Sequence, residues 1–186
     1  MKADVELTDG LVLLRPYRSG DVDLLYEAVR ESIVELSPWM VWCHANYSME
    51  ESRDWVESRA GAWERGTEYS FVITDAEEGL FLGGCGLDHI NQAVQDPGIA
   101  NLGYWVRSSR IGKGVATSVV RLLAGFGFGE LGLNRIEIII AVGNKSSRRV
   151  AEKAGAKREG ILRNRLFVAE QLHDAVMFSL IPRDIV

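Results

Sequence analysis

The stretch over residues 101–142 constrains the fold of this chain more than any other part of its sequence. It consists of a strand rich in aromatic and branched residues (101–106), a glycine-rich turn, a helix (114–131) and a strongly β-branched strand (135–142). Two strands joined through a helix run in the same direction, so this stretch predicts a parallel strand pair. The chain before it predicts an antiparallel hairpin. The two halves together predict an α/β fold with one mixed sheet.

The other elements are predicted from caps, turns and hydrophobic spacing. No linker, repeat or low-complexity stretch divides the chain, so one domain over residues 1–186 is expected. Gly132 is placed to end the long helix. The further elements are a strand at 11–14, a helix capped at 19–21 and ended by Ser37-Pro38, a helix beginning with a capping box at 48–51, strands at 69–74 and 80–87 around a turn at 75–79, a polar loop at 92–98, a helix at 144–154, and strands near 156–167 and 173–180.

Composition and charge exclude several classes of protein. With 47% hydrophobic and 25% charged residues, the chain is neither disordered nor fibrous. Its formal charge of −5 disfavours direct nucleic-acid binding. The longest apolar run, at 138–142, is too short to cross a bilayer, so no membrane association is expected. Cys43 and Cys85 lack the spacing of a zinc site and are expected to be buried thiols, which predicts a cytoplasmic protein without a metal.

The turn before the long helix is the first motif that indicates chemistry. It consists of Arg110, Ile111, Gly112, Lys113, Gly114, Val115 and Ala116. Unpaired backbone amides and the helix dipole at such a turn suit a pyrophosphate, and the two glycines let phosphates approach the backbone. A surface turn with a helix N-cap is the alternative. The spacing matches neither a Walker A loop nor a Rossmann fingerprint.

A second motif follows the β-branched strand. Asn144 and Ser147 lie where that strand ends and the short helix begins. Either residue alone could serve as an N-cap. Both motifs come at the carboxyl ends of neighbouring predicted strands, where open α/β sheets bind their ligands.

Together the two motifs resemble the GCN5-related N-acetyltransferase (GNAT) superfamily, and more narrowly its branch that acetylates the N-termini of ribosomal proteins. The resemblance extends over nearly the whole chain. It includes, in order, Leu14-Arg15-Pro16, Leu36-Ser37-Pro38-Trp39, Gly103-Tyr104-Trp105-Val106, the glycine turn, Leu133-Asn134-Arg135, Asn144 with Ser147, Glu159-Gly160 and His173-Asp174. It implies a mostly antiparallel sheet with a splayed central parallel strand pair, acetyl-CoA as cosubstrate, an amine acceptor and, on this ground alone, a homodimer.

The resemblance also implies roles for particular residues. The pyrophosphate would lie on the amides of 111–116, the pantetheine arm beside Tyr104, Trp105 and Val106, and Asn144 would bond that arm. Ser147 would lie near the thioester sulfur and donate a proton to the leaving thiolate. Two positions depart from the family pattern. Ile111 stands where the pattern has Gln or Arg, with Arg110 one residue early, and Leu166 stands where some relatives carry a glutamate base.

The general base is therefore the open question of the sequence. His89, at the end of a strand expected to border the cleft, and Glu137, on the β-branched strand, are the candidates, while a surface histidine and a solvent-facing glutamate are the alternatives. An N-terminal amine, with a pKa of about 7.7–8.0, costs about 3 kcal/mol less to deprotonate at neutral pH than a lysine of about 10.4. A site without a strong base therefore favours a protein N-terminal amine as acceptor.

Trp39 and Trp42 follow the proline that ends the first helix. They are interpreted either as core packing or as an apolar wall for the acceptor. Three functions follow: acetyl transfer to a protein N-terminus, foremost of a ribosomal protein; transfer to a small amine such as a polyamine, amino sugar or amino acid; and acyl-CoA binding without turnover.

Overall fold

The computed structural model describes residues 5–90 and 98–185. Within them the chain forms four α-helices and a sheet of eight strands. The helices are α1 Val22–Leu36, α2 Met49–Arg65, α3 Val115–Gly129 and α4 Lys145–Lys153, and the strands are β1 Leu7–Thr8, β2 Val12–Pro16, β3 Tyr69–Asp75, β4 Phe81–Asp88, β5 Ile99–Val106, β6 Arg135–Ala141, β7 Lys157–Val168 and β8 Gln171–Leu180.

The sheet is antiparallel except at its centre. Its strand order is β1-β2-β3-β4-β5-β6-β8-β7, and β5 and β6 run in parallel. Their pairing is confined to three residue pairs, from Ile99 with Arg135 to Asn101 with Glu137. Beyond Asn101 the two strands separate, which opens the sheet toward their carboxyl ends. The mixed sheet and the splayed parallel pair are thus confirmed.

Helices cover the two faces of the sheet unequally. α3 and α4 pack on one face, over the larger hydrophobic cluster, which includes Phe71, Leu123, Ile136 and Phe178. α1 packs on the other face over a smaller cluster that includes Val29, Val72 and Trp105, and Val56 of α2 joins it there. Side chains alternate along a strand, so Tyr104 points toward α4 while Trp105 points toward α1.

The local signals account for the helix boundaries. Ser48 and Glu51 form the predicted capping box, in which the Ser48 hydroxyl accepts from the Glu51 amide and the Glu51 carboxylate accepts from the Ser48 amide. Asn144 caps α4 by accepting from the Ser147 amide at 3.0 Å. α1 ends at Leu36, immediately before the predicted Ser37-Pro38 stop.

Several boundaries differ from the prediction by one or two residues, one strand was not predicted, and one predicted segment lies outside the described residues. The strand β1 has no signal in the sequence because two residues are held only by pairing with β2. The strand expected at 11–14 begins at Val12 and runs on to Pro16. α3 ends at Gly129 rather than Leu131, and Gly132, with a left-handed φ of 65°, lies beyond its end. Of the polar loop expected at 92–98, only Gly98 is described.

Candidate active site

The separation of β5 from β6 creates a cleft of about 330 Å³ that is lined by residues from both faces of the sheet. Four segments meet there: the carboxyl end of β5, the glycine turn, the first turns of α3 and α4, and the loop after α1. The residues that line it include Trp39, Met40, Tyr104, Trp105, Val106, Arg110, Ile111, Gly112, Gly114, Val115, Ala116, Asn144, Ser147, Arg149 and Lys153. Eleven of the twelve residues predicted to bind the cofactor are in this list. Lys113 is exposed and is absent from the lining.

The glycine turn presents backbone amides to the cleft. Gly112 and Gly114 have φ angles of 83° and 87°, which a residue with a side chain adopts only under strain. Among the hydrogen bonds of the part of the chain that is described, none is donated by the backbone amides from Gly112 to Ala116. α3 begins at Val115, so its positive dipole end adds to these donors. The turn therefore fits a pyrophosphate.

Three cationic side chains line the cleft. Arg110 comes from the turn, while Arg149 and Lys153 lie four residues apart on one face of α4. Positive charge concentrated here, in a chain of net charge −5, favours a polyanionic ligand. Arg110 faces the cleft although it stands one residue early in the motif. Its neighbour Ile111 also lines the cleft and is 52% exposed.

Asn144, Ser147 and Tyr104 form a hydrogen-bonded chain across the cleft. The Asn144 side-chain oxygen is used as the cap of α4, so its amide nitrogen is the group left for a ligand. The Ser147 hydroxyl lies 2.8 Å from the Tyr104 hydroxyl, which also lies 3.2 Å from the Ser147 carbonyl oxygen. Burial raises the pKa of Tyr104 to about 12, although its bond to Ser147 opposes this shift.

Trp39 closes the cleft on the side of α1. Its ring lies against Gly143, where an added Cβ would come within 3.2 Å of the Trp39 Cη2 atom. The loop after α1 thereby contacts the turn between β6 and α4. Trp42 packs edge-on against Trp105, with ring centroids 5.8 Å apart, and is absent from the cleft lining. The structure thus places Trp39 at the cleft and Trp42 behind it.

A row of polar side chains crosses the sheet where β5 and β6 still pair. Asp88 is registered with Asn101, and Asn101 with Glu137. By alternation Asn101 shares the face of Trp105, so this row lies on the α1 side. Asn101 donates to the Asp88 carboxylate at 3.1 Å. Burial raises the pKa of Asp88, which is the direction that makes a carboxylate a better proton acceptor near neutral pH.

The two base candidates from the sequence occupy different environments. Glu137 points away from the core formed by Ile136, and its carboxylate accepts from Arg135 at 2.8 Å. Arg135 also makes a bidentate pair with Glu159. His89 is 66% exposed at its side chain and lies 3.5 Å from Asp88. His89 adjoins Asp88, whereas Glu137 lies two strands away from it, across Asn101; the sequence reasoning did not identify Asp88 as a candidate base.

The functional residues that the sequence reasoning missed differ in whether a local sequence signal could have revealed them. The four-residue spacing of Arg149 and Lys153 on a predicted helix could have indicated a basic face toward the glycine turn. Nothing local marks Asp88, because its relation to Asn101 depends on strand register. In the described residues no group of three or more His, Cys, Asp or Glu side chains is placed to hold a metal ion. Within 5–90 and 98–185, no helix is long and apolar enough to cross a membrane.

Comparison with known proteins gives consistent matches over most of the chain. The family model described as "Acetyltransferase (GNAT) domain" matches residues 12–157. The Bacillus subtilis protein named "Putative ribosomal N-acetyltransferase YdaF" is 31% identical over 175 residues, which are 93% of this chain and 92% of that protein. A second B. subtilis protein, "Probable N-acetyltransferase YjcK", is 31% identical over 138 residues, 74% of this chain and 75% of its own.

A solved structure shows the same fold. Mycobacterium smegmatis RimJ in complex with CoA-disulfide superimposes with a TM-score of 0.82 at 25% identity. The match covers 97% of this chain and 88% of that one.

Proposed function

The chain belongs to the GNAT acetyltransferase family and is an acetyl-CoA-dependent N-acetyltransferase, and from this premise we propose that its acceptor is the N-terminal α-amine of a protein, foremost a ribosomal protein. The name of YdaF, a relative over 93% of the chain, supports this acceptor. So does the chemistry of the α1 face of the sheet, where the candidate proton acceptors are carboxylates rather than stronger bases.

The observation that carries the proposal is the pairing of the carboxylates on the α1 side of the sheet. Glu137 and Glu159 both accept from Arg135, and that ion pair, with a bond from Ser179, holds the pKa of Glu159 at about 2. Asp88 is on the same face of the sheet but does not pair with Arg135, and burial raises its pKa. A carboxylate of this kind can accept a proton from an α-amine of pKa about 7.7–8.0, whereas a lysine costs about 3 kcal/mol more.

We assign each group of residues a separate role in the reaction. The amides of the glycine turn, with Arg110, Arg149 and Lys153, hold the phosphates of acetyl-CoA, which supplies the activated acetyl group. The Ser147 hydroxyl lies at the mouth of the splay, where it donates toward the leaving sulfur. Asp88, with Asn101 and His89 beside it, receives the acceptor proton directly or through water. Two buried free thiols, Cys43 and Cys85, support a cytoplasmic location.

The experiment is an acetylation assay with two peptides of one sequence, each containing a single internal lysine. One peptide has a free N-terminus and the other is N-terminally formylated. Mass spectrometry locates the added acetyl group, and spermidine, glucosamine and free amino acids are assayed in parallel. We expect the free peptide to be acetylated at its α-amine and the formylated peptide to stay unmodified. Faster turnover of spermidine, glucosamine or a free amino acid, or acetylation of the lysine, would overturn the proposed acceptor.

A further inference from the structure

The contact between Tyr104 and Ser147 joins two residues that are 43 positions apart in the sequence. Both side chains line the cleft, and both are partly buried. Ser147 is held from the other side as well, because its amide donates to Asn144. The Ser147 hydroxyl oxygen is held by its contact with Tyr104, while its proton, like that of every hydroxyl, can rotate.

The two hydroxyl protons of Tyr104 and Ser147 can be oriented in two ways. In the first, Tyr104 donates to the Ser147 carbonyl oxygen at 3.2 Å, and the Ser147 hydroxyl donates its own proton to Tyr104. In the second, Tyr104 donates to the Ser147 hydroxyl oxygen at 2.8 Å, which leaves the Ser147 proton free to point into the cleft. The 2.8 Å contact is common to both arrangements, so the ligand selects between them. A thioester or thiolate sulfur accepts hydrogen bonds but donates none, and only the second arrangement leaves a proton for it.

We propose that Tyr104 is a positioning residue that orients the Ser147 hydroxyl proton toward the sulfur of the bound thioester. The inference rests on the proposed binding of acetyl-CoA in this cleft with its sulfur near Ser147. In the transfer, the C–N bond forms, the C–S bond breaks with its electron pair on sulfur, and the acceptor nitrogen loses its proton to Asp88 or water. Ser147 and Tyr104 stabilise the thiolate by hydrogen bonding and keep their own protons.

The pKa values of the CoA thiol and of Tyr104 agree with this role, in which both hydroxyls keep their protons. A CoA-like thiol has a pKa of about 8.5, near that of cysteine. The pKa of Tyr104 is raised to about 12, so Tyr104 donates a hydrogen bond to its neighbour without giving up its proton to a thiolate. A pair of hydroxyls that remains protonated through the reaction is a preorganised dipole aimed at developing charge.

The test measures the acidity of bound CoA, which needs no acceptor. CoA is titrated in complex with the protein, and the ultraviolet absorbance of its thiolate gives the thiol pKa. Burial raises the pKa of both Cys43 and Cys85, and a titration of the ligand-free protein is subtracted. The variants are Ser147→Ala, Tyr104→Phe and the double variant. Tyr69→Phe is the matched control, because it removes the hydroxyl of another buried tyrosine, away from the cleft.

We expect the thiol pKa of bound CoA to lie below its free value and to rise in Ser147→Ala. Tyr104→Phe raises it in the same direction by a smaller amount, and the double variant equals Ser147→Ala, because Tyr104 acts through Ser147. In acetyl transfer, Tyr104→Phe lowers kcat about fivefold with KM for acetyl-CoA unchanged. Tyr69→Phe changes none of these values.

Three outcomes would overturn the inference. If CoA binds but Tyr104→Phe leaves its thiol pKa unchanged, Tyr104 does not orient Ser147, and the acetyltransferase function stands. If the thiol pKa of bound CoA rises in the double variant by the sum of the two single-variant rises, Tyr104 acts independently of Ser147. If CoA does not bind the wild-type protein, cofactor binding in this cleft and the positioning role are both contradicted.

Discussion

The two sides of the cleft are built from different parts of the chain. On the side of α3 and α4, the cleft is formed by backbone amides of the glycine turn, hydroxyls and three cations. On the side of α1, it is lined by Trp39 and Met40, and the row of Asp88, Asn101 and Glu137 lies on the same face of the sheet, outside that lining. Amides are present whatever the side chain, so the turn tolerates substitution at positions such as Ile111, where the backbone does not need a glycine conformation. The second side depends on residue identity, as expected where the acceptor is selected.

From this difference we expect the departure at Ile111 to leave cofactor binding in place. Its side chain lines the cleft and is half exposed, while the amides that follow it keep their positions through Gly112 and Gly114. The same reasoning predicts that substitutions on the two sides affect different constants. Changes to the glycine turn and to its neighbouring cations should move the Kd for CoA, and changes on the side of α1 should move the acceptor kinetics.

The largest effect is expected for Asp88→Asn, which keeps a partner for Asn101 but removes the proton acceptor. At pH 7 we expect kcat/KM for an α-amine peptide to fall about 10- to 100-fold, and at pH 9 the loss to shrink because the amine is already neutral. The measurement is a pH–rate profile. Asp54→Asn, an exposed carboxylate on α2, is the control. An equal loss at both pH values would assign Asp88 a structural role instead.

Gly112→Val tests the backbone side of the comparison. A β-branched residue at a φ of 83° is strained by about 1–3 kcal/mol, and its side chain occupies the approach to the amides. We expect the Kd for CoA to rise about 30-fold, measured by calorimetry. Gly132→Val is the matched control, since it has a φ of 65° and open space around it but lies outside the cleft lining. Equal weakening of CoA binding in both variants would mean that general destabilisation is responsible.

Trp39→Ala tests the opposite side. Removing the ring that lies on Gly143 opens the cleft toward α1, and we expect KM for the acceptor peptide to rise about tenfold. The Kd for CoA should change less than twofold. Trp55→Ala removes a tryptophan that packs on Tyr17 and Arg59, away from the cleft, and should leave KM unchanged. If Trp39→Ala weakens CoA and acceptor alike, the two sides of the cleft are not separable.

Arg149→Ala measures how much the cations add to the amides. We expect the Kd for CoA to rise about fivefold at low salt, and the difference from wild type to diminish as ionic strength increases. Lys145→Ala is the control, because it removes a cation from the same helix that does not line the cleft. A larger loss for Arg149→Ala than for Gly112→Val would reverse the proposed ranking of backbone over charge.

The sequence predicted those parts of the molecule that depend on neighbouring residues. The capping box at Ser48, the β-α-β unit and the glycine turn are local patterns, and the structure contains each of them. β1 was missed because pairing with β2, rather than propensity, holds its two residues. The Tyr104–Ser147 contact and the Asp88–Asn101 pair were missed because strand register and helix docking, which no single segment encodes, create them.

The smallest expected effect concerns the contact between the two sides. Glu31 of α1 pairs with Arg107 and accepts from the Ser109 amide at 2.9 Å, which ties α1 to the segment leading into the glycine turn. The Arg107 guanidinium, ahead of the bond from Ser109, lowers the pKa of Glu31 from its usual value to about 2. A lowered folded-state pKa stabilises the native protein above the unfolded pKa, and this stability is lost as pH falls from about 4.5 toward 2.

Glu31→Gln should therefore lower the Tm at pH 7 by about 2–4 °C, corresponding to at most about 1 kcal/mol for a partly exposed pair. The gap from wild type should close as the buffer approaches pH 2, because the wild-type carboxylate is then protonated. Glu57→Gln, on the exposed face of α2, should show no gap at any pH. If the Kd for CoA also rises in Glu31→Gln, the contact of Glu31 with Arg107 and Ser109 helps to position the glycine turn. The two sides of the cleft would then depend on each other. An unchanged Kd would instead show that the turn keeps its geometry without this contact, through the backbone conformations of Gly112 and Gly114.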